Sequence, residues 1–475
     1  MVNDVVNLLI PHIILLFAVF VQTMCGIIKL PAIAFKYKNV NIATSNLISF
    51  VAILAANIAL WLAPNNVSGF SESLLVSPFV QVLSTLILFC GVATIMLSGH
   101  VLKDNRQNCY KYHILLLMAL VGAILVVQAN DFLTLFVSLE TLSFCLYFLI
   151  AFSRGYKSKE AAFKYLITNA VSIAFFLFGV SYILGMTSSL NYTEIAQSFD
   201  LTRANGTVYS IAVLFLFFGL SMKLALFPFA NWVLEVFEGT ESSVLNFLIT
   251  VPKIAVFGAL IKLFAHILSY SFELYVMVLL LAIMTAFWAN IYALTTTNFK
   301  RLLACSSSAN ASYLIILLTI ATVENFGAIV FYLICYSLMN IGVCAYLNLV
   351  EQSTKSFDVN KLPCPPQKWA LAGYGICILA LAGLPISSGF VAKIYLLYAA
   401  INSGLVFIPV VIVMLILFAI ALVYYIKMLK VVMNKTAEIV MSKMTRVILI
   451  VASLATFLLG VIPFGVIANC VKLFS

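Results

Sequence analysis

Apolar residues in this chain run in blocks of about twenty, separated by short polar connections, with no alternation of period two. A block of that length matches the ~20 residues an α-helix needs to cross ~30 Å of hydrocarbon. Long apolar runs without strand alternation predict helices rather than a closed barrel. Fourteen spans are expected, near 5–27, 42–63, 78–98, 112–129, 131–152, 162–186, 208–227, 243–265, 273–295, 302–321, 323–349, 369–400, 405–430 and 445–469. Only Ala129-Asn130-Asp131 separates the fourth from the fifth, so that turn must be tight. The first run is too long for the apolar part of a signal peptide and has no small-residue cleavage site after it. It is expected to stay as the first span.

Composition agrees with the pattern. The chain is 64% apolar and 9% charged, with a mean hydropathy of +1.15, whereas a soluble domain carries about 25% charged residues. The net charge of +10 is mainly a topology signal. Of the 26 Lys and Arg, nineteen lie in connections after odd-numbered spans and two, Arg203 and Lys472, after even-numbered spans or at the termini. Basic residues mark the cytoplasmic side, so both termini are expected outside. One missed or extra helix would scramble so uneven a split. The basic residues are dispersed over many loops, which argues against nucleic acid as a partner.

Five charges then stand out because they fall inside apolar spans. They are Glu140 in LFVSLETLSFCLYF, Lys164 in AAFKYLITNAVSIAFF, Lys223 in FFGLSMKLALFPF, Lys253 in LITVPKIAVFG and Lys393 in SSGFVAKIYLLY. A charge at a helix centre costs roughly 2.5–3.5 kcal/mol on insertion scales. These groups are therefore expected to face the bundle interior, water or one another, and to carry a proton or cation. Lys164 lies near the start of its span, where snorkelling to the interface is the competing reading. Lys262, near a helix end, is expected to snorkel.

Other chemistry has little support. The 10 cysteines are scattered, without a CxxC pair, so iron–sulfur and zinc sites lack their ligand spacing. The four histidines, His12, His100, His113 and His266, are not clustered in sequence, and His266 suits a helix end. Neither GxGxxG nor GxxxxGK[ST] occurs, so nucleotide binding is not expected. No cofactor is expected in this chain.

Two spans look interrupted. Pro228 follows Lys223 in the seventh, and Gly383-Leu384-Pro385-Ile386-Ser387-Ser388-Gly389 precedes Lys393 in the twelfth. Proline removes a backbone donor and clashes with the preceding turn. Broken membrane helices occur where backbone lines a cavity or protein interior. Non-helical backbone is expected within 226–231 and 383–389, facing inward. The breaks lie five spans apart, which predicts an inverted pair of five-helix repeats. The organisation expected is a three-helix segment at 1–111, repeats at 112–265 and 266–430, and a last helix in 431–475.

In these segments the chain resembles the antiporter-like, proton-translocating membrane subunits of respiratory complex I. The resemblance rests on SLETLSFCLYFLIAFSR, EAAFKYLITNAVSIAFFLFGVSYILG, FLFFGLSMKLALFPFANWVLEVFEG, VPKIAVFGAL, FKRLLACSSSANASY and LAGLPISSGFVAKIYLL, in order over about 112–430. It implies a fourteen-helix fold with broken seventh and twelfth helices and a line of charges at the membrane's midplane. Glu140 matches the family's fifth-helix glutamate and Lys223 its seventh-helix lysine partner. Lys164, Lys253 and Lys393 match the sixth-, eighth- and twelfth-helix lysines. A lysine at 393, and an end soon after the fourteenth span, resemble the subunit N branch of the bacterial NADH:quinone oxidoreductases. The resemblance implies other complex I membrane subunits as partners, with NADH, FMN, iron–sulfur clusters and quinone handled there. A bacterial plasma membrane is expected, with the mitochondrial inner membrane as alternative. Multisubunit Na⁺/H⁺ antiporters are the alternative relatives. Ala230 and Asn310 stand where family members often carry histidine, so the auxiliary polar groups differ.

The chemistry of the charges stands by itself. Low dielectric disfavours an ammonium, and a nearby carboxylate favours it. A glutamate that shifts relative to a lysine would therefore change whether that lysine keeps its proton. The plain alternative is a static ion pair between Glu140 and Lys223, which leaves Lys253 and Lys393 unexplained.

Overall fold

The computed structural model describes residues 2–28, 40–64, 66–104, 108–153, 155–198, 206–267, 272–320, 322–353, 357–359, 362, 365, 367–404, 407–433 and 443–474. The basic loop residues Lys29, Lys36, Lys38, Arg106, Arg154, Arg203, Lys355, Lys361 and Lys435 lie outside the described residues. Among the described residues, thirteen helices are long and apolar enough to cross a membrane. The remaining expected span is the twelfth, which is split in two. The protein is an all-α integral membrane protein.

The chain forms two compact units. Unit 1 comprises Met1–Ala212 and Gly239–Lys262. It holds α1 (Val2–Ile28), α2 (Val40–Leu62), a short antiparallel hairpin of β1 (Val67–Gly69) and β2 (Leu74–Val76), and α3 (Pro78–Leu97). After these come α4 (Gly99–Asp104), α5 (Cys109–Gln128), α6 (Phe132–Ile150), α7 (Tyr156–Thr187) and α8 (Tyr192–Gln197). Helix α5 packs against α1, α2, α3 and α6. The turn between α5 and α6 is as tight as expected. Asp131 caps α6 by accepting from the backbone N–H of Thr134 at 2.6 Å, which satisfies one of the helix's orphan donors. Helix α7 begins several residues before the expected sixth span, because 156–161 extend it beyond the apolar run.

Unit 2 comprises Val213–Glu238 and Leu263–Ser475. The helix α9 (Gly206–Lys223) runs into this unit, followed by α10 (Asn231–Gly239). The long α11 (Ser242–His266) returns most of its length to unit 1. The rest of unit 2 is α12 (Phe272–Thr295), α13 (Phe299–Leu318), α14 (Val323–Ser353), α15 (Lys368–Ala382), α16 (Ser388–Asn402), α17 (Ile408–Met433), α18 (Lys443–Val461) and α19 (Phe464–Lys472). Helix α14 is the hub, touching α13, α15, α16, α18 and α19.

Both expected breaks are present, and both end in the same backbone motif. After α9, the N–H of Leu226 donates to the carbonyl of Ser221 at 3.0 Å and that of Ala225 to Met222 at 3.1 Å. Ala225 is left-handed, with φ 57°. After α15, Leu384 donates to Leu379 and Gly383 to Ala380, each at 3.0 Å, and Gly383 has φ 83°. This 6→1 and 5→2 pairing around a left-handed residue is the Schellman stop. Proline follows in each case, at Pro228 and Pro385, and blocks resumption of the helix.

The breaks depart from expectation in two ways. The first spans 224–230 rather than 226–231, because the left-handed residue precedes the proline by three positions. Nor do the breaks face wholly inward. Pro228 and Pro385 are exposed, and Ile386 is 66% exposed, whereas Leu224, Ala225 and Leu226 are buried. The carbonyls freed by the second break point inward while its proline tip points away.

Candidate functional site

Unit 1 places Glu140 on α6, half-buried. Its Oε1 accepts from Asn169 Nδ2 on α7 at 2.8 Å, and Ser143 Oγ donates to Asn169 Oδ1 at 3.3 Å. The rings of Tyr147 and Tyr165, 5.4 Å apart edge to face, lie by the same pair of helices. A neutral amide donor supports the carboxylate without cancelling its charge. Lys164, also on α7, pairs with Glu160 one turn earlier at 2.6 Å, and the two side chains are 38% and 43% exposed on this chain.

Lys253 sits at the middle of α11 and is 6% exposed. Pro252 precedes it inside the helix, so the carbonyl of Leu248 loses its usual donor. Asn246 and Thr250 share the face of Lys253, at i−7 and i−3. Asn246 Nδ2 donates to Thr94 Oγ1 of α3 at 3.0 Å, and Thr250 Oγ1 donates to the Asn246 carbonyl at 2.7 Å. A polar stripe therefore climbs α11 toward the lysine.

Lys262 corrects the expectation of snorkelling. It is 7% exposed, and its Nζ donates to the carbonyl of Ala129 at 3.1 Å. The α5–α6 turn folds over the end of α11 and offers the ammonium a carbonyl inside the unit. His12 and His113 likewise each sit in a buried polar group that their sequence positions do not reveal.

Unit 2 holds Lys223 and Lys393. Lys223 is the last residue of α9, half-buried, two residues before the left-handed Ala225. The N–H of Phe227 in the same break donates to Thr285 Oγ1 of α12 at 2.9 Å. Lys393, 6% exposed, reaches from α16 back to the C-terminal end of α15. Its Nζ donates to the carbonyls of Leu381 and Ala382 at 2.9 and 3.0 Å and lies 4.9 Å from the Phe418 ring centroid. The two carbonyls form the negative end of a half-helix dipole, and the Phe418 ring offers an aromatic face beside the side chain.

Phe418 packs on Tyr313, with centroids 4.6 Å apart, and this begins a buried hydroxyl network. Asn290 Nδ2 donates to Tyr313 Oη at 3.0 Å, and Tyr424 Oη donates to Asn290 Oδ1 at 3.4 Å. Ser306 is hydrogen-bonded to Tyr425, and Asn310 Nδ2 donates to Ser306 Oγ at 3.4 Å. Tyr332 Oη closes the group by donating to Asn310 Oδ1 at 2.7 Å. Asn310, where the resemblance leads one to expect a histidine, is thus clamped by a tyrosine and a serine. Ala230 is buried just before α10. Among the described residues no group of three His, Cys, Asp or Glu side chains is placed to hold a metal ion.

Residues 129–420 match the family model described as "NADH:quinone oxidoreductase/Mrp antiporter, TM". The chain belongs to this family. Within it, the chain is 32% identical over 439 residues to NADH-quinone oxidoreductase subunit N of Laribacter hongkongensis (strain HLHK9), covering 90% of each. Among solved structures it is similar to a chain of respiratory complex I from Thermus thermophilus, with TM-score 0.82 and 26% identity over 97% of this chain and 99% of that one. A chain of the Mrp complex from Dietzia sp. DQ12-45-1b shares the fold, with TM-score 0.79, at 16% identity, covering 98% of this chain and 52% of that one.

The five spans with charges were legible in sequence, but their partners were not. Asn169, Asn246, Thr250 and the Asn310 network are uncharged, so no hydropathy window marks them. Asn246 and Thr250 could have been found from their spacing to Lys253. Asn169 lies one turn beyond Tyr165 and gives no comparable signal.

Proposed function

We propose that this chain is the subunit N-type membrane subunit of an NADH:quinone oxidoreductase, resident in a bacterial inner membrane with other membrane subunits, and translocates protons. The observation that carries the reading is the 32% identity to a subunit N over 90% of both chains. The buried lysines supply its chemistry. Glu140, Lys164, Lys223, Lys253 and Lys393 are the proton-carrying groups, set in two five-helix repeats, 112–265 and 266–430. Glu140 is held in place by its hydrogen bond from Asn169. Lys253 is buried in apolar helix at the end of a polar stripe. Lys393 takes a proton where the carbonyls of Leu381 and Ala382 welcome an ammonium. Lys164, with its half-exposed Glu160 pair, serves on a face that a partner subunit covers.

The chain itself carries no redox chemistry in this reading. NADH, FMN, iron–sulfur clusters and quinone belong to partner subunits, and their electron transfer drives protonation changes here. The second reading is a subunit of a multisubunit Na⁺/H⁺ antiporter, since the family description covers both. Purification separates the two. Co-migration with flavin, iron–sulfur clusters and NADH:quinone activity is expected. Co-migration with antiporter subunits alone, without flavin, would favour the second.

A further inference from the structure

Two buried histidines in unit 1 differ in how completely they are satisfied. His113 on α5 is fully engaged. Its Nδ1 lies 2.7 Å from Ser45 Oγ and 2.9 Å from the Cys109 carbonyl, and its Nε2 lies 2.8 Å from Asn46 Oδ1. Such a closed network is structural. His12 on α1, 4% exposed, is hydrogen-bonded from Nε2 to Gln128 Oε1 at 2.7 Å. Among the described residues its Nδ1 has no hydrogen-bond partner, and neither has Gln128 Nε2, although both are buried. Because an amide oxygen only accepts, Nε2 carries the hydrogen, and Nδ1 presents a lone pair.

The next residue along, Ala129, is the one whose carbonyl accepts from Lys262 Nζ. A buried ammonium and a buried imidazole thus flank one dipeptide, Gln128-Ala129. The dipeptide is roofed by the hairpin. Leu74 of β2 bridges to Ala129, and the Asn130 N–H donates to the Ser73 carbonyl at 2.8 Å. Leu8 of α1 packs with Leu74 and Val76 beneath it. The charge distribution of the loops places this end of unit 1 on the outer side. Lys262 lies about two and a half turns beyond Lys253 on the same helix, at 3.6 residues per turn.

We propose that Lys262 and His12 form a further proton-transfer station at the outer end of unit 1, resting on the proton-translocation reading above. The Lys262 ammonium releases one N–H proton to a bound water, leaving neutral amine. The resulting hydronium protonates His12 Nδ1, leaving water, and the imidazolium later gives that proton to the outer aqueous phase. Lys262 is reprotonated from the side of Lys253. One proton moves per cycle, and no electron or other reactant is consumed. Gln128 holds the imidazole in the tautomer whose Nδ1 can accept.

The competing account makes Lys262 a clamp on the α5–α6 turn. Arginine separates them, since it donates as lysine does but does not release its proton. In membranes containing the assembled complex, Lys262→Arg, Lys262→Met, His12→Gln and Lys253→Met would be compared for complex content and for protons pumped per quinone reduced. The station predicts loss of pumping at retained content in Lys262→Arg, Lys262→Met and His12→Gln alike. Full pumping in Lys262→Arg, or failure of both Lys262 variants to assemble, identifies a clamp and overturns it. Normal pumping in the Lys262 variants beside a loss in Lys253→Met removes the station and keeps the proton route. Normal pumping in all four removes the proton-translocation reading itself.

Discussion

A lysine ammonium inside apolar helices persists only where something takes its hydrogen bonds, and three of these lysines find three different solutions. Lys393 uses the carbonyls at the end of a broken helix, Lys262 a turn carbonyl, and Lys164 a glutamate one turn away. Removing such a donor has a calculable consequence. Lys393→Met strips a partner from the carbonyls of Leu381 and Ala382, and a buried acceptor left unsatisfied costs about 1–3 kcal/mol. The variant complex should lose its activity at a lower temperature than the parent, and an unchanged inactivation midpoint would mean that these bonds hold nothing. Asn169→Leu should act differently. It deletes the donor to Glu140 Oε1, so pumping should fall while the fold, anchored by apolar contacts of α6 and α7, is retained. Equal pumping per complex in Asn169→Leu and parent membranes would detach Asn169 from the route. At this scale the sequence reveals charges in apolar windows, because their transfer cost is large. It conceals amides and hydroxyls, whose partners come from other helices.

The broken helices are the elements that turn local chemistry into a site. Each stops through a left-handed residue, but the two residues are not equivalent. Gly383 is suited to φ 83°, and a Cβ there would lie 2.8 Å from Lys393 Cδ. Ala225 occupies φ 57° with a Cβ, at a cost of roughly 1–2 kcal/mol. Ala225→Gly should therefore raise the thermal stability of the complex by about 1 kcal/mol, less the added flexibility of glycine in the unfolded chain. Gly383→Ala should lower complex content, since both the backbone angle and the Lys393 side chain resist it. The reverse order of stabilities would deny the shared stop motif. Pro228 and Pro385 made both breaks visible in the sequence. The first was placed too late because the chain leaves the helix after Lys223, and the left-handed Ala225 that follows gives no warning in the sequence.

For the whole molecule, apolar block length made the spans readable without coordinates, and the uneven placement of Lys and Arg gives the sidedness expected of them. Cysteines placed at Gly99 and at Lys427 should label from the cytoplasmic side, and labelling from opposite faces would break the fourteen-span topology. The grouping of helices was not readable. The segment Val213–Glu238, which carries Lys223, belongs to unit 2, although its neighbours on both sides in the chain belong to unit 1. Apolar runs specify burial but not which helices share it. The central claim is that the buried charges carry protons rather than brace the fold. Breaking a buried charge interaction can cost ~3–5 kcal/mol of stability, so content and pumping must be read in the same membranes. The most direct measurement is protons pumped per assembled complex during quinone reduction in Glu140→Gln and Lys253→Met membranes. The account predicts that this ratio falls in both while assembled complex remains. A fall in content with the ratio unchanged would contradict it.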